Sequence, residues 1–202
     1  MTKKILSSSQ GYDILAKDYN KFHNFLDSFD WKEIKDILKK YLLKNLLILD
    51  AGCGDGRITN RFKDYKIISV DVSRLMLLSL KQRNKDSLCV QSDVLSLPFK
   101  DFSFDIVMAF FLLVHIHNLS DFFYSISRVL KKDGLLICNC IPQRSSPVFG
   151  KGKNKFKINS YNHSFRLTLK AAEKEGFNLI HSKDIVQNGV CISTVCVFKL
   201  QT

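Results

Sequence analysis

The sequence predicts an α/β fold, a parallel sheet wound on both faces by helices, and three observations carry the prediction. Strand-like and helix-like segments alternate, with short links, between residues 46 and 141. The strand-like runs LLILD and FDIVMAF are apolar almost throughout, as central strands buried on both faces are. The first of them ends in an acid and opens into DAGCGDG, which places three of the chain's 9 glycines within five residues.

The elements follow in order. Residues 11–23 predict a short helix, with Tyr12, Leu15, Ala16 and Tyr19 at the i, i+3, i+4, i+7 spacing. Residues 31–43 predict a second, with Ile34, Ile37, Leu38 and Tyr41 on one face and Asp30 as N-cap. A buried strand is expected at 46–50, a helix near 56–63 and a strand at 66–71. Ser73 is placed to cap the next helix, followed by strands at 88–91 and 104–110. Ser120 is expected to cap a helix over 121–132, Asp133-Gly134 to turn, and 135–141 to form a fifth strand. Residues 144–160 read as a basic, mobile loop or insertion. Ser164 starts a helix that Gly176 stops. Two final strands meet at Asn188-Gly189, a hairpin signal. The expected organisation is one domain: helices over the active site in 1–45, a cofactor-binding core in 46–141, a basic loop in 142–163, and a helix with two strands in 164–202.

Composition narrows the classes. The chain has 202 residues, 46% apolar and 25% charged, ordinary for a globular protein. The longest apolar run, residues 106–114, is far short of the ~20 residues of a membrane span. The N-terminus lacks the apolar stretch of a signal peptide, so a cytosolic protein without membrane insertion is expected. The six cysteines form no zinc-like spacing, and Cys138 and Cys140 share a strand face, which reads as packing rather than metal binding. The formal charge of +12 is uneven: residues 1–140 carry 21 basic and 16 acidic side chains, residues 141–202 carry 10 and 3. Seven basic residues and no acid lie between Arg144 and Lys170. Such a surface attracts acidic partners, its plainer role being solubility.

In an open α/β sheet a ligand binds beyond the carboxyl ends of the strands. A glycine-rich turn after the first strand lets the backbone approach it closely, so DAGCGDG is the expected cofactor loop. A phosphate loop needs lysine and then serine or threonine after its last glycine, whereas Gly56 is followed by Arg57 and Ile58. A dinucleotide fingerprint needs a glycine at position 57, which disfavours a nicotinamide oxidoreductase. Two further acids stand in register. Asp71 ends the second strand, where a carboxylate accepts from both ribose hydroxyls. Asp93 follows the third, where one can accept from an adenine amino group. Together they describe a cofactor with an adenosine half and no pyrophosphate. Asp50 is expected to hold a cationic centre or to orient the glycine loop.

The series LILDAGCGDG, SVDVS, SDVLSLPFKDFSFDIVMAFFLLVHI and RVLKKDGLLI resembles class I S-adenosylmethionine-dependent methyltransferases, nearest to their type 11 branch. That branch includes quinone-biosynthesis, biotin-pathway and tRNA wobble-uridine enzymes. The opening YDILAKDYN is similar to its N-terminal helix, so the resemblance covers residues 10–141. It implies a Rossmann-like, seven-stranded sheet ordered 3-2-1-4-5-7-6 with the last strand antiparallel, and S-adenosylmethionine as cofactor. It implies that Asp50, Gly52, Gly54 and Gly56 meet the methionine end of the cofactor. It implies Asp71 at the ribose, Val72, Asp93 and Val94 around the adenine, and Ala109 and Phe110 beside the amino group. Tyr19 is expected to close over the site.

Methyl transfer from a sulfonium is an in-line displacement whose electrophile the cofactor brings. Alignment alone can supply ~7–11 kcal/mol, and a base is needed only where the acceptor must lose a proton. His115 is the expected base, ahead of His117, its other reading being a turn cap or a backbone donor. His163 and Tyr12 are the candidate residues on the acceptor side, Tyr12 having packing as its alternative. His23 and His181 read as incidental, Phe110–Phe111 and 122–124 as packing, and Asp105 as fixing the fourth strand. The expected acceptor is a small-molecule or carrier-bound metabolite, with the basic loop suited to an acidic one. The alternatives are a tRNA-modifying enzyme and a non-catalytic partner that keeps only the fold.

Overall fold

The structure is a computed structural model that describes residues 4–142 and 145–201, without the side chains of residues 24, 25 and 28–30. Arg144 therefore lies outside the described residues. The chain begins with β1 (Lys4–Leu6), α1 (Ser8–Leu15), a 3-10 turn (Tyr19–Phe22) and α2 (His23–Tyr41). The core follows as β2 (Leu47–Ala51), β3 (Lys66–Asp71), α3 (Arg74–Arg83), β4 (Leu88–Gln91), β5 (Phe104–Ala109), α4 (Leu119–Val129) and β6 (Leu130–Cys140). The remainder is β7 (Val148–Phe149), β8 (Phe156–Ile158), α5 (Phe165–Lys174), β9 (Phe177–Gln187) and β10 (Val190–Leu200).

Seven strands form one sheet in the order β4-β3-β2-β5-β6-β10-β9. Counted along the chain this is 3-2-1-4-5-7-6, with β10 antiparallel to both neighbours, as the resemblance implies. The physical cause is visible in the central strands. Ile48, Ile106, Met108, Ile137, Val195 and Val197 pack on one face with Ile34, Ile37 and Leu38 of α2. Their strand neighbours Leu49, Val107, Leu136, Cys138, Cys196 and Phe198 pack on the other with Phe122, Phe123 and Ile126 of α4. Successive side chains point to opposite faces, so a strand covered on both sides has no polar phase. Each fully buried aliphatic or aromatic side chain contributes ~1.5–3 kcal/mol. Asp105 ties β5 to β2 by accepting from Leu47 N–H at 2.9 Å, and Lys131 pairs with it at 2.8 Å. Among the described residues no group of three or more His, Cys, Asp or Glu side chains is arranged to hold a metal, and no helix is long and apolar enough to cross a membrane.

Several local expectations are corrected. The helix expected over 11–23 begins at Ser8, where Ser7 and Gln10 form a capping box, and ends at Leu15. The second helix begins at His23 rather than at 31, so no helix starts after Asp30, whose side chain lies outside the described residues. The helix expected near 56–63 is only a 3-10 turn, Thr59–Arg61, because the loop is drawn in against β3 and α3. Asn118, not Ser120, caps α4: its side chain accepts from Ser120 N–H. The turn at Asp133 is absorbed as a bulge, β6 pairing Leu130 with Phe104 and next Leu135 with Ile106. Ser73, Ser164 and the Asn188-Gly189 hairpin take the places expected of them.

The largest correction concerns residues 144–160. Their β7 and β8 form a small sheet with β1, in the order β1-β8-β7. Leu6, Phe156 and Ile158 give it its own core, joined by Tyr12 and Leu15 of α1. A Cβ at Gly11 would lie 2.4 Å from Ile158 Cγ1, so α1 packs directly on β8. Residues 4–15 and 148–158, far apart in the sequence, thus build one roof.

Candidate functional site

Beneath that roof, at the carboxyl ends of β2, β3, β4 and β5, lies a cavity of about 360 Å³. The strand order reverses between β2 and β5, where such sheets hold ligands. The glycine loop forms its floor. Gly52 and Cys53 N–H both donate to Val70 O, at 2.8 and 3.0 Å, which pins the loop to β3. Gly54 has φ +55°, and a Cβ there would meet nothing nearer than Tyr19 Cε1 at 4.0 Å. It faces open cavity. Gly52 stands close under Leu112, 2.9 Å from its Cδ1 at the Cβ position. Gly56 instead packs on α3, where a Cβ would lie 2.3 Å from Leu80 Cδ1, and the residue does not line this cavity.

Asp71 sits at the centre. Its Oδ2 accepts from Gly54 N–H and its Oδ1 from Ser73 N–H, both at 2.8 Å. Each oxygen keeps a further lone pair for a ligand. Burial pushes its carboxyl up to about 6, against the backbone donors of Ser73, Gly54 and Val72. Asp50 is also raised to about 6 by burial, opposed by the Thr59 hydroxyl that donates to it at 2.5 Å. Thr59 meets Ser69 as well, at 3.0 Å, so Asp50 braces the loop from below. Asp93 is exposed at the rim and accepts from Leu95 N–H at 2.9 Å.

The roof supplies the opposite wall. Asp13 of α1 accepts from Ser73 Oγ at 2.5 Å and Leu75 N–H at 3.1 Å, fastening α1 to the start of α3. Tyr12 Oη lies 2.8 Å from His115 Nε2, and His115 Nδ1 lies 2.9 Å from Asn159 O. A carbonyl only accepts, so Nδ1 carries the hydrogen and Nε2 accepts from the Tyr12 hydroxyl. Burial lowers the His115 pKa, partly offset by Asn159, and raises that of Tyr12, with Tyr19 and Asp71 adding to the rise. The pair therefore rests as neutral imidazole and phenol.

Tyr12, Tyr19, Asp50, Gly52, Gly54, Asp71, Val72, Asp93, Val94, Phe110 and His115 line this one cavity. Three expected residues do not. Gly56 serves packing against α3. Ala109 is fully buried in the sheet core behind Phe110. His163 turns away and donates from Nε2 to Ile116 O at 2.7 Å, leaving Tyr161 as the residue of that segment that faces inward.

Sequence reasoning missed Arg57, which lines the cavity with its guanidinium 5.2 Å over the Phe111 ring and Asp27 at 3.1 Å. Its signal was present, since it directly follows Gly56, but it registered only as a missing glycine. It missed the buried Asp55, which His23 meets at 2.7 Å while Arg83 lies 2.9 Å from Oδ2 as an ion pair out of line for a hydrogen bond. Phe111 has φ +59°, held by Asn139 Oδ1 accepting from its N–H at 2.7 Å. Strained backbone of this kind collects at ligand sites.

The donor set fits S-adenosylmethionine: a paired-acceptor carboxylate at a strand end, a floor free of side chains at Gly54 and no lysine for a polyphosphate. Residues 49–138 match the family described as a methyltransferase domain. An uncharacterized protein of Methanocaldococcus jannaschii is 34% identical over 163 residues, 80% of this chain and 68% of that one. Demethylmenaquinone methyltransferase of Staphylococcus saprophyticus is 30% identical over 148 residues, 67% of this chain and 62% of that one. In fold, the chain is similar to an S-adenosylmethionine-dependent methyltransferase from Methanosarcina mazei, with TM-score 0.71, 18% identity and coverage of 82% of this chain and 97% of the other. Motif, fold and relatives converge, and the chain belongs to the class I S-adenosylmethionine-dependent methyltransferases, in their type 11 branch.

Proposed function

We propose that the protein acts in the cytosol as a methyltransferase, transferring the methyl group of S-adenosylmethionine directly to a small-molecule or carrier-bound acceptor whose reacting group must lose a proton. The Tyr12–His115 pair, facing the same cavity as Asp71 and Gly54, is the observation that supports this. The bound cofactor supplies an electrophilic methyl group on a sulfonium. Asp71 would take the ribose hydroxyls, and Val72, Asp93 and Val94 the adenine. Gly52 and Gly54 leave room for the amino-acid end, whose carboxylate Arg57 would meet, and Tyr19 covers it. Asp50 and Thr59 hold the loop in place.

The remaining residues serve the acceptor. Tyr12 accepts the acceptor's proton at Oη as its own passes to His115 Nε2, and the imidazolium so formed is held by Asn159 O at Nδ1. Desolvation keeps the imidazole unprotonated beforehand. An acidic hydroxyl or N–H compound fits this arrangement better than a carboxylate, which needs no base. The exposed lysines 4, 151, 153 and 155 on the roof suit an acceptor or carrier of negative charge.

The test combines binding and product analysis. Calorimetry should show S-adenosylmethionine binding that Asp71→Asn weakens by about ten- to a hundredfold, the scale of one hydrogen bond to a charged group. Incubation with methyl-labelled cofactor and fractionated extract should put label into small molecules or a carrier. Tyr12→Phe should lower kcat with cofactor affinity kept. Label in RNA would favour the tRNA reading, and a wild type that fails to bind the cofactor would refute the enzyme.

A further inference from the structure

We propose that a second, cationic hollow on the outer side of the glycine loop binds a phosphate group. It encloses about 330 Å³ and is lined by His23, Arg57, Asn60, Arg61, Lys63 and Arg83. Three separate segments build it: the start of α2, the stretch after the glycine loop and the end of α3. Arg57 belongs to both cavities and forms the wall between them.

The electrostatics are one-sided. Four permanently cationic side chains line the hollow, and two described carboxylates answer them. Asp27 serves Arg57 at 3.1 Å and also Arg61, while Asp55 serves His23 and Arg83. Lys63 is exposed and makes no ion pair among the described residues. Each guanidinium offers five N–H groups in a flat fork that matches a tetrahedral oxyanion; at Arg61 and Arg83 the carboxylates occupy only part of them, Arg61 also donating to Arg57 O at 2.6 Å.

A second observation points the same way. Asn60 lines the hollow, and its Oδ1 is buried with no hydrogen-bond partner. A ligand that brings both anionic oxygens and a hydroxyl hydrogen satisfies the guanidinium groups and, once the Asn60 amide turns from its buried position toward the hollow, Asn60 as well. Hydrogenphosphate or a phosphate ester with a neighbouring hydroxyl does so, whereas a simple carboxylate brings only acceptors. The shared chemistry is the phosphate; free ion and ester are two sources of it.

The experiment is calorimetric titration of the full chain at fixed ionic strength with inorganic phosphate, glycerol 3-phosphate and acetate. Lys63→Glu is compared with Lys44→Glu, an exposed lysine away from the hollow with the same change in net charge. One saturable phosphate site is expected, weakened by about tenfold or more in Lys63→Glu and little changed in Lys44→Glu. Tighter binding of glycerol 3-phosphate would identify an ester as the ligand, and equal or weaker binding the free ion. No saturable heat, acetate binding as well as phosphate, or equal losses in the two variants would overturn the site. The inference goes beyond methyl transfer and does not rest on it. A parallel titration with S-adenosylmethionine reports that reading separately.

Discussion

Gly54 and Gly56 stand two residues apart and answer to different neighbours. Gly54 borders open cavity, so Gly54→Ala should fold with only the ~1–2 kcal/mol penalty of a left-handed residue. The methyl group would enter the space where a ligand lies, and cofactor affinity should fall by about tenfold or more. Gly56→Ala would drive a methyl group into Leu80, adding overpacking of ~1–3 kcal/mol to the backbone penalty. Its thermal midpoint should drop further than that of Gly54→Ala, and Leu80→Val should recover part of the loss. Thermal melts with and without S-adenosylmethionine separate the two cases, and equal behaviour of the two alanine variants would contradict the assignment. Both glycines were visible in the sequence, but their division of labour was not, because it depends on what α3 places beside Gly56.

At the scale of elements, the core strands and two of the helix caps, Ser73 and Ser164, were legible because burial on both faces and local side-chain hydrogen bonds write themselves into neighbouring residues. The roof was not. β1 pairs with β8 through the register Lys4 to Phe156, a contact between segments far apart in the sequence that no local periodicity encodes. Strands of only two and three residues are too short to show an alternating pattern, so residues 144–160 read as loop. The break between α1 and α2 was hidden in one continuous apolar spacing. The roof's attachment is testable through Asp13, which accepts from Ser73 and Leu75 at the start of α3. Asp13→Ala should speed amide exchange in α1 and weaken cofactor binding a few-fold while leaving the sheet strands protected. Uniformly faster exchange would show that α1 is not a separately held element.

At the scale of the whole molecule, the buried carboxyls of Asp50 and Asp71 are each lifted by burial from 3.8 to about 6. Between those values the folded chain holds protons that the unfolded chain has released, so it gains stability at low pH. That gain is complete below about pH 4 and is lost as the pH rises through about 6, on the order of 3 kcal/mol per group. Urea midpoints of the cofactor-free protein should therefore fall across this window. Asp50→Asn, which keeps an acceptor for Thr59, should flatten the fall, and an unchanged slope would sink the prediction. Two carboxylates whose burial outweighs their hydrogen bonds are a cost that a ligand with hydroxyl donors can relieve, which couples this stability profile to the site.

By itself, the sequence determined the sheet, its winding, the glycine loop and the three acids at successive strand ends, because each is set by residues adjacent along the chain. Only the tertiary structure decided which side chains share the cavity. It separated Gly54 from Gly56, turned His163 away, aimed Tyr12 at His115 and brought Arg57 forward. Those outcomes depend on the packing of distant segments, a property that no local pattern of residue types contains.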